Sequence, residues 1–189
     1  LGVAMAMVNP YWRFRRTGLR VADPRRPSVV APNHEPFADI LLISHLPFEM
    51  KWLSKVEILG IPLIGWMMRL AGDIPIKRGF GPSAVEAMER CRASLRNRVS
   101  VIFFPEGTRS VDGNMLPFKD GAFRLAIEAG VPILPLAVAG TRTALPKHDW
   151  RFNPARAVVE VLPPIDTAGL TLEDLPQLKE RVRATIQAA

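Results

Sequence analysis

The chain reads as an α/β fold: a mostly parallel central sheet flanked by helices, preceded by an N-terminal membrane-associating helical segment. Three observations predict this. Short β-branched runs alternate with longer stretches whose apolar residues recur at helical spacing. Polar clusters follow directly on several of those runs, where a parallel sheet opens its ligand crevice. The opening residues differ from the rest in mixing apolar and arginine-rich chemistry, which divides the chain into an N-terminal amphipathic, basic segment (1–27) and a folded domain (28–189).

Four runs read as strands: SVVAP (28–32), VSVIFFP (99–105), PILPLAVAG (132–140) and AVVEVLPP (157–164). A fifth, GDIPIKR (72–78), carries a proline and suits a sheet edge or a strand end. Helical patterns fall at 37–46, 51–70, 82–97 and 119–129. The last of these, KDGAFRLAIEAG, spaces Phe123, Ala126 and Ile127 along one face and stops at Gly130. A C-terminal helix over roughly 173–188 follows Thr171, with Glu173 and Asp174 in its first turn. The stretch 51–72 is apolar around much of its circumference and reads as a helical hairpin or bent helix broken near Pro62. Its Trp52, Trp66, Met67 and Met68 would line an acyl groove, dip into lipid, or pack as an ordinary core helix.

The 189 residues fit one domain, and 48% hydrophobic composition supports a sizeable core. A net charge of +7 and a pI near 10.3 point to an anionic partner: nucleic acid, a membrane surface or a phosphorylated substrate. The single cysteine, Cys91, excludes an internal disulfide and a multi-cysteine zinc site, and its helical setting reads as a half-buried thiol. No uninterrupted apolar run reaches the roughly 18 residues of a membrane span. LGVAMAMV stops at Asn9-Pro10 and lacks the basic lead of a signal peptide. With Tyr11, Trp12 and Phe14 interleaved with Arg13, Arg15 and Arg16, the segment suits an interfacial anchor, the other reading being a first helix with a solvated basic face.

The chemistry concentrates in the polar clusters. APNHEPFAD (31–39) sets His34 five positions before Asp39. In a continuous helix that spacing separates two side chains by roughly 140°. If instead His34 sits in a loop and a helix starts near Pro36, the imidazole can fold back to Asp39. The carboxylate would then orient one ring nitrogen and leave the other free to take a proton, although polar loop filling is the alternative. No G-x-S-x-G elbow, reactive cysteine or phosphate-binding P-loop supplies a nucleophile, and three histidines without an H-E-x-x-H pattern give no metal centre. A base without an enzymic nucleophile points to a substrate hydroxyl.

FFPEGTRS (103–110) is the second cluster. Gly107 lets the backbone approach a ligand closely, and Arg109 offers a planar fork matched to phosphate. Glu106 can orient that arginine or hold a hydroxyl, or the two form an ion pair in a turn. Lys77, Arg78 and Lys119 add positive charge near the same crevice.

Taken in order, these clusters resemble the glycerolipid acyltransferase family, which includes 1-acylglycerol-3-phosphate acyltransferases. NHEPFAD resembles its N-H-x-x-x-x-D block and GDIPIKR its G-x-I-x-x-x-R block, while FPEGTRS and VPILPLAV (131–138) match the third and fourth. The resemblance implies that His34 is the general base and Asp39 its orienting partner. The base would deprotonate a lysophospholipid hydroxyl, which attacks an acyl thioester on coenzyme A or acyl carrier protein, with no covalent acyl-enzyme and no cofactor beyond that co-substrate. It further implies that Arg78, Glu106, Gly107, Thr108 and Arg109, with Lys119, bind the acceptor, and that a backbone amide near Gly107 stabilises the oxyanion. Pro36 stands where the family often carries serine. The family acts at the cytoplasmic face of the cell membrane, peripherally or through an N-terminal anchor. The arginines of 13–26 suit that role at roughly 1 kcal/mol each near anionic lipid.

Phosphatidate formation from 1-acylglycerol 3-phosphate is therefore the expected activity, and nucleic acid is not an expected partner. Another lysophospholipid or a glycolipid as acceptor is the alternative within that chemistry. A non-catalytic basic module binding membrane or nucleic acid accounts for the charge but not for the polar pairs at strand ends, and a hydrolase activating water through His34 lacks an obvious metal.

Overall fold

The computed structural model of the chain describes residues 12–21, 23–33, 38–77, 79–107, 114–141, 144 and 153–189. In chain order the strands are β1 (Trp12–Gly18), β2 (Val29–Pro32), β3 (Met50–Lys55), β4 (Ile74–Ile76), β5 (Ser100–Ile102), β6 (Ile133–Ala139) and β7 (Ala155–Val161). The helices are α1 (Ala38–Ile43), α2 (Ile64–Ala71), α3 (Gly81–Arg96), α4 (Gly121–Ala129) and α5 (Leu175–Gln187). Short 3₁₀ turns at Val56–Gly60 and Leu172–Asp174 lead into α2 and α5.

The strands form one sheet in the order β1-β7-β6-β2-β5-β3-β4, with β6–β7 its antiparallel pair and every other neighbour parallel. The expected α/β fold with a mostly parallel sheet is thus present, and IPI of the GDIPIKR run forms the expected edge strand. β2 is central and buried along its whole length, which explains why VVAP is apolar without alternation. Val29, Ala31, Val101 and Ile133 pack on one face with residues from α3, α4 and α5. Val30, Ile102, Leu134 and Leu136 pack on the other with Leu42, Ile43 and Leu46, the last just beyond α1.

Two expectations are corrected. Residues 12–18, read as part of a membrane-associating helical segment, form an edge strand paired with β7. The physical reason is a two-residue alternation: Trp12 and Phe14 turn inward, their rings stacked 5.3 Å apart, while Arg13 and Arg15 face solvent. Charge on an outermost strand also discourages further pairing. Residues 1–11 lie outside the described set. Likewise 51–55, read as helix, belong to β3, which bridges β5 and β4. Of the stretch 51–70, only 64–70 is α-helical, in a helix that ends at Ala71.

Candidate active site

Because β2, β5, β3 and β4 run parallel, their carboxyl ends open on the same edge of the sheet. β2 ends at Pro32, and the next residue, Asn33, turns its carboxamide onto β6. Its Nδ2 donates to the Val138 carbonyl at 2.9 Å and its Oδ1 accepts from the Val138 N–H at 2.7 Å. α1 then begins at Ala38, with fully buried Asp39 in its first turn, where a carboxylate is favoured. The helix is pinned on one side by Leu42 and Ile43, and on the other Ala38 packs against Trp12. His34 lies outside the described residues, as does Pro36.

Past β5, the chain makes a turn over Phe104–Gly107, closed by the Gly107 N–H donating to the Phe104 carbonyl at 3.0 Å. Pro105 and Gly107 occupy the second and fourth turn positions, which suit proline and glycine. Gly107 has φ +70°, and a Cβ there would lie 2.8 Å from Nζ of Lys119. The ammonium of Lys119 is therefore stationed over the glycine backbone. Two further bonds close the intervening loop: the Lys119 N–H donates to the Pro105 carbonyl at 2.8 Å, and the Leu116 N–H donates to Glu106 Oε2 at 2.9 Å. Glu106 is 3% exposed, so one of its oxygens serves the loop rather than a ligand. Thr108, Arg109 and Arg78 lie outside the described residues. The N–H of Gly107 itself is engaged in the turn.

These elements open onto a cavity of about 1360 Å³. Lys77, Gly107 and Lys119 line it, together with apolar groups such as Trp52, Ile64, Met67, Met68 and Met88. Of the four residues marked from sequence as groove or lipid contacts, Trp52, Met67 and Met68 line the cavity; Trp66 faces solvent. Asp73 also borders it. Its Oδ1 accepts from the Trp52 N–H at 3.0 Å, while burial pushes its carboxyl above the ordinary aspartate range; the Trp52 hydrogen bond and Lys51 oppose that rise only in part. Cys91 is fully buried, more so than its sequence setting indicated, and burial pushes its thiol up to about 12, which makes it inert as a nucleophile.

Asn33, quoted from sequence only as part of the NHEPFAD block, proves to clamp the end of β2 to β6. A proline-terminated strand followed by asparagine was the available signal, since the side chain can continue a ladder that proline cannot. The arrangement offers a largely apolar cavity whose lining includes a cation and a glycine turn, with the buried carboxylate of Asp39 beyond the neighbouring strand end. Such a site can hold an aliphatic chain and an anionic headgroup.

A family model described as Acyltransferase matches residues 13–139. The chain is 41% identical over 173 residues to 1-acyl-sn-glycerol-3-phosphate acyltransferase alpha of Homo sapiens, covering 90% of this chain and 61% of that protein. It is 39% identical over 144 residues to the chloroplastic 1-acyl-sn-glycerol-3-phosphate acyltransferase BAT2 of Brassica napus, covering 76% of this chain and 42% of that protein. The chain thus spans roughly half the length of these relatives. The crystal structure of the 1-acyl-sn-glycerophosphate (LPA) acyltransferase PlsC from Thermotoga maritima matches with a TM-score of 0.75 and 28% identity, over 93% of this chain and 70% of that one.

Proposed function

The chain belongs to the acyltransferase family, and from that premise we propose that it moves a fatty acyl group from a thioester to the free hydroxyl of 1-acylglycerol 3-phosphate, giving phosphatidate. The observation that carries this reading is the cavity. Its largely apolar lining suits an acyl chain, and the same lining carries Lys119 over Gly107, a cation that can pair with the acceptor's phosphate. A neutral glycolipid would leave that charge unused, which favours the phosphorylated acceptor over the glycolipid alternative.

In the proposed mechanism His34 takes the proton of the acceptor hydroxyl as its oxygen attacks the thioester carbonyl. Asp39, buried at the start of α1, holds the imidazole and stabilises the imidazolium. The tetrahedral oxyanion collapses, the C–S bond breaks, and the proton on His34 passes to the departing thiolate. Arg78, Thr108 and Arg109, with Lys119, bind the glycerol phosphate, while Glu106 keeps their loop in shape. The donor is acyl-CoA or acyl-ACP, consumed as co-substrate, and no other cofactor enters. Residues 1–27 and their arginines associate with the anionic cytoplasmic face of the membrane, where the lipid acceptor resides.

The test is acceptor profiling with a long-chain acyl-CoA, following release of free thiol. Lysophosphatidate is expected to outcompete glycerol 3-phosphate, other lysophospholipids and glycolipids. Equal or faster thiol release with an uncharged acceptor would refute the phosphate assignment, and no thiol release with any acceptor would refute the transferase reading.

A further inference from the structure

α2 is apolar on two separate faces. Gly65 fixes its rotation, because it packs so closely on the preceding 3₁₀ turn that a Cβ would lie 2.1 Å from the Leu59 carbonyl oxygen. With that rotation set, Ile64, Met67, Met68 and Ala71 line the cavity. Trp66 and Leu70, four residues apart, share a different stripe, and Leu63, which also lines the cavity, stands at the rim between the two. That stripe faces out: Trp66 is 70% and Leu70 90% exposed, and Leu63 at the rim is 51% exposed. Ile61 just before it is exposed as well.

Three further features distinguish this stripe from scattered surface leucines. Leu63 sits at φ +68°, ψ −54°, in a three-residue turn closed by the Ile64 N–H donating to the Pro62 carbonyl at 2.8 Å. That conformation is strained for a bulky residue, and here it supports an exposed apolar side chain. Among the described residues, the helix and the strand ends and 3₁₀ turn leading to it carry Lys55, Arg69 and Lys77 as exposed cations and Glu57 as an exposed acid, while Glu49 is paired with Lys51 at the end of the helix. Finally, the stripe is continuous with the cavity through the same helix, and Phe80, half-exposed on the cavity wall, lies 5.6 Å beneath the Lys77 ammonium.

We propose that this outer face of α2 is a lipid-docking surface, on which the protein rests against an anionic bilayer with the cavity opening beside it. The helix has eight residues and is about 12 Å long, so it cannot cross a membrane and lies in the plane of the interface instead. Trp66 and Leu70 enter the acyl boundary, while Arg69, Lys55 and Lys77 meet lipid phosphates. This adds a second contact to the N-terminal segment, one that sets the orientation of the cavity mouth. The surface stands on its own geometry; only the passage of acceptor from bilayer to cavity rests on the acyltransferase reading.

The experiment is vesicle partitioning of the whole chain, wild type against W66S/L70S, on phosphatidylcholine vesicles with and without phosphatidylglycerol. Removing two buried apolar side chains is expected to lower partitioning into the anionic vesicles by at least about tenfold. Vesicles carrying brominated acyl chains are expected to quench tryptophan fluorescence in the wild type, with that quenching largely absent in W66F. Unchanged partitioning of the double variant, or equal quenching in W66F, would overturn the proposal. So would shielding of Trp66 from acrylamide before vesicles are added, since another segment or a second copy would then cover the stripe. Turnover of a water-soluble short-chain lysophosphatidate without vesicles separates the two readings, because neither Trp66 nor Leu70 lines the cavity. Intact turnover in W66S/L70S with lost partitioning supports both; vesicle binding through Trp66 without any turnover keeps the surface and removes the enzyme.

Discussion

The carboxamide of Asn33 grips the backbone of Val138 at both ends, accepting from its N–H at 2.7 Å and donating to its carbonyl at 2.9 Å. β2 and β6 are parallel neighbours whose ladder stops at the Pro32–Leu136 pair, so the side chain extends the sheet by one step beyond the last backbone pairing. The residue after Asn33 is His34. A base that must meet a hydroxyl within hydrogen-bond reach depends on the backbone just before it, and a misplacement of about 1 Å can cost on the order of a hundredfold in rate. Asn33→Ala is expected to lower kcat by tenfold to a hundredfold, as an order of magnitude, with acceptor KM little changed. It also leaves the Val138 N–H unpaired, at a cost of about 1–3 kcal/mol in stability. Asn33→Asp, which keeps the acceptor but not the donor, should fall between. Steady-state kinetics beside thermal melts check this; an Asn33→Ala enzyme with wild-type kcat would remove the positioning role.

The proposed pairing of His34 with Asp39 makes a second, sharper expectation. His34→Ala should abolish thioester-dependent acylation while leaving the far-ultraviolet circular dichroism unchanged. Asp39 is fully buried, so its removal is tested with the isosteric Asp39→Asn rather than alanine. That variant should retain acceptor binding and lose on the order of a hundredfold or more in kcat, the range typical of general acid–base groups. Near wild-type turnover in either variant would exclude the proposed base.

At the other strand end, Lys119 and Gly107 separate charge from shape. Lys119→Met keeps the aliphatic stem and removes the ammonium, so acceptor KM should rise by about tenfold while kcat holds, and its salt dependence should weaken. Gly107→Ala acts differently, because it forces a side chain onto a φ of +70° and into the Lys119 stem. It is expected to lower kcat and stability together. Kinetics against lysophosphatidate across a salt series, with melts, distinguish the two; an unchanged KM in Lys119→Met would take this lysine out of the phosphate site.

How far these features were legible in the sequence follows from their local physics. The buried strands β2, β5 and β6 announce themselves as short apolar runs, and β2 and β5, like the edge strand β4, lead into the polar clusters. The glycine stop at Gly130 marks the end of α4 in the sequence as it does in the fold. β1 and β3 were misread because lysine and arginine sit on strands there. Lys51 of β3 lays its stem along the protein and reaches the Ala71 carbonyl at 2.6 Å, so a charged residue behaves as a half-buried one. The pattern WRFRR carries its period of two openly, yet its arginines read equally well as a basic helical face. Asn33 could not be assigned from spacing alone, since its partner lies more than a hundred residues away on β6.

The last expectation concerns Asp73, whose carboxyl is raised above the ordinary aspartate value of 3.8 chiefly by burial. A raised acid binds its proton more tightly in the folded chain than in the unfolded one. Its favourable contribution is therefore complete below the unfolded value and is lost as pH rises through the folded value; at neutral pH the ionised group weakens the fold. Asp73→Asn keeps an oxygen for the Trp52 N–H, which Oδ1 now accepts at 3.0 Å, and removes the buried charge. Its Tm should exceed that of the wild type at pH 7, and the gap should close as pH falls towards the ordinary carboxyl range. For a chain of this size each kcal/mol corresponds to about 2–4 °C. Melts of both proteins across that pH range provide the check. A variant less stable than wild type at pH 7, with the gap widening upward, would mean that the Lys51 and Trp52 partners outweigh the cost of burial.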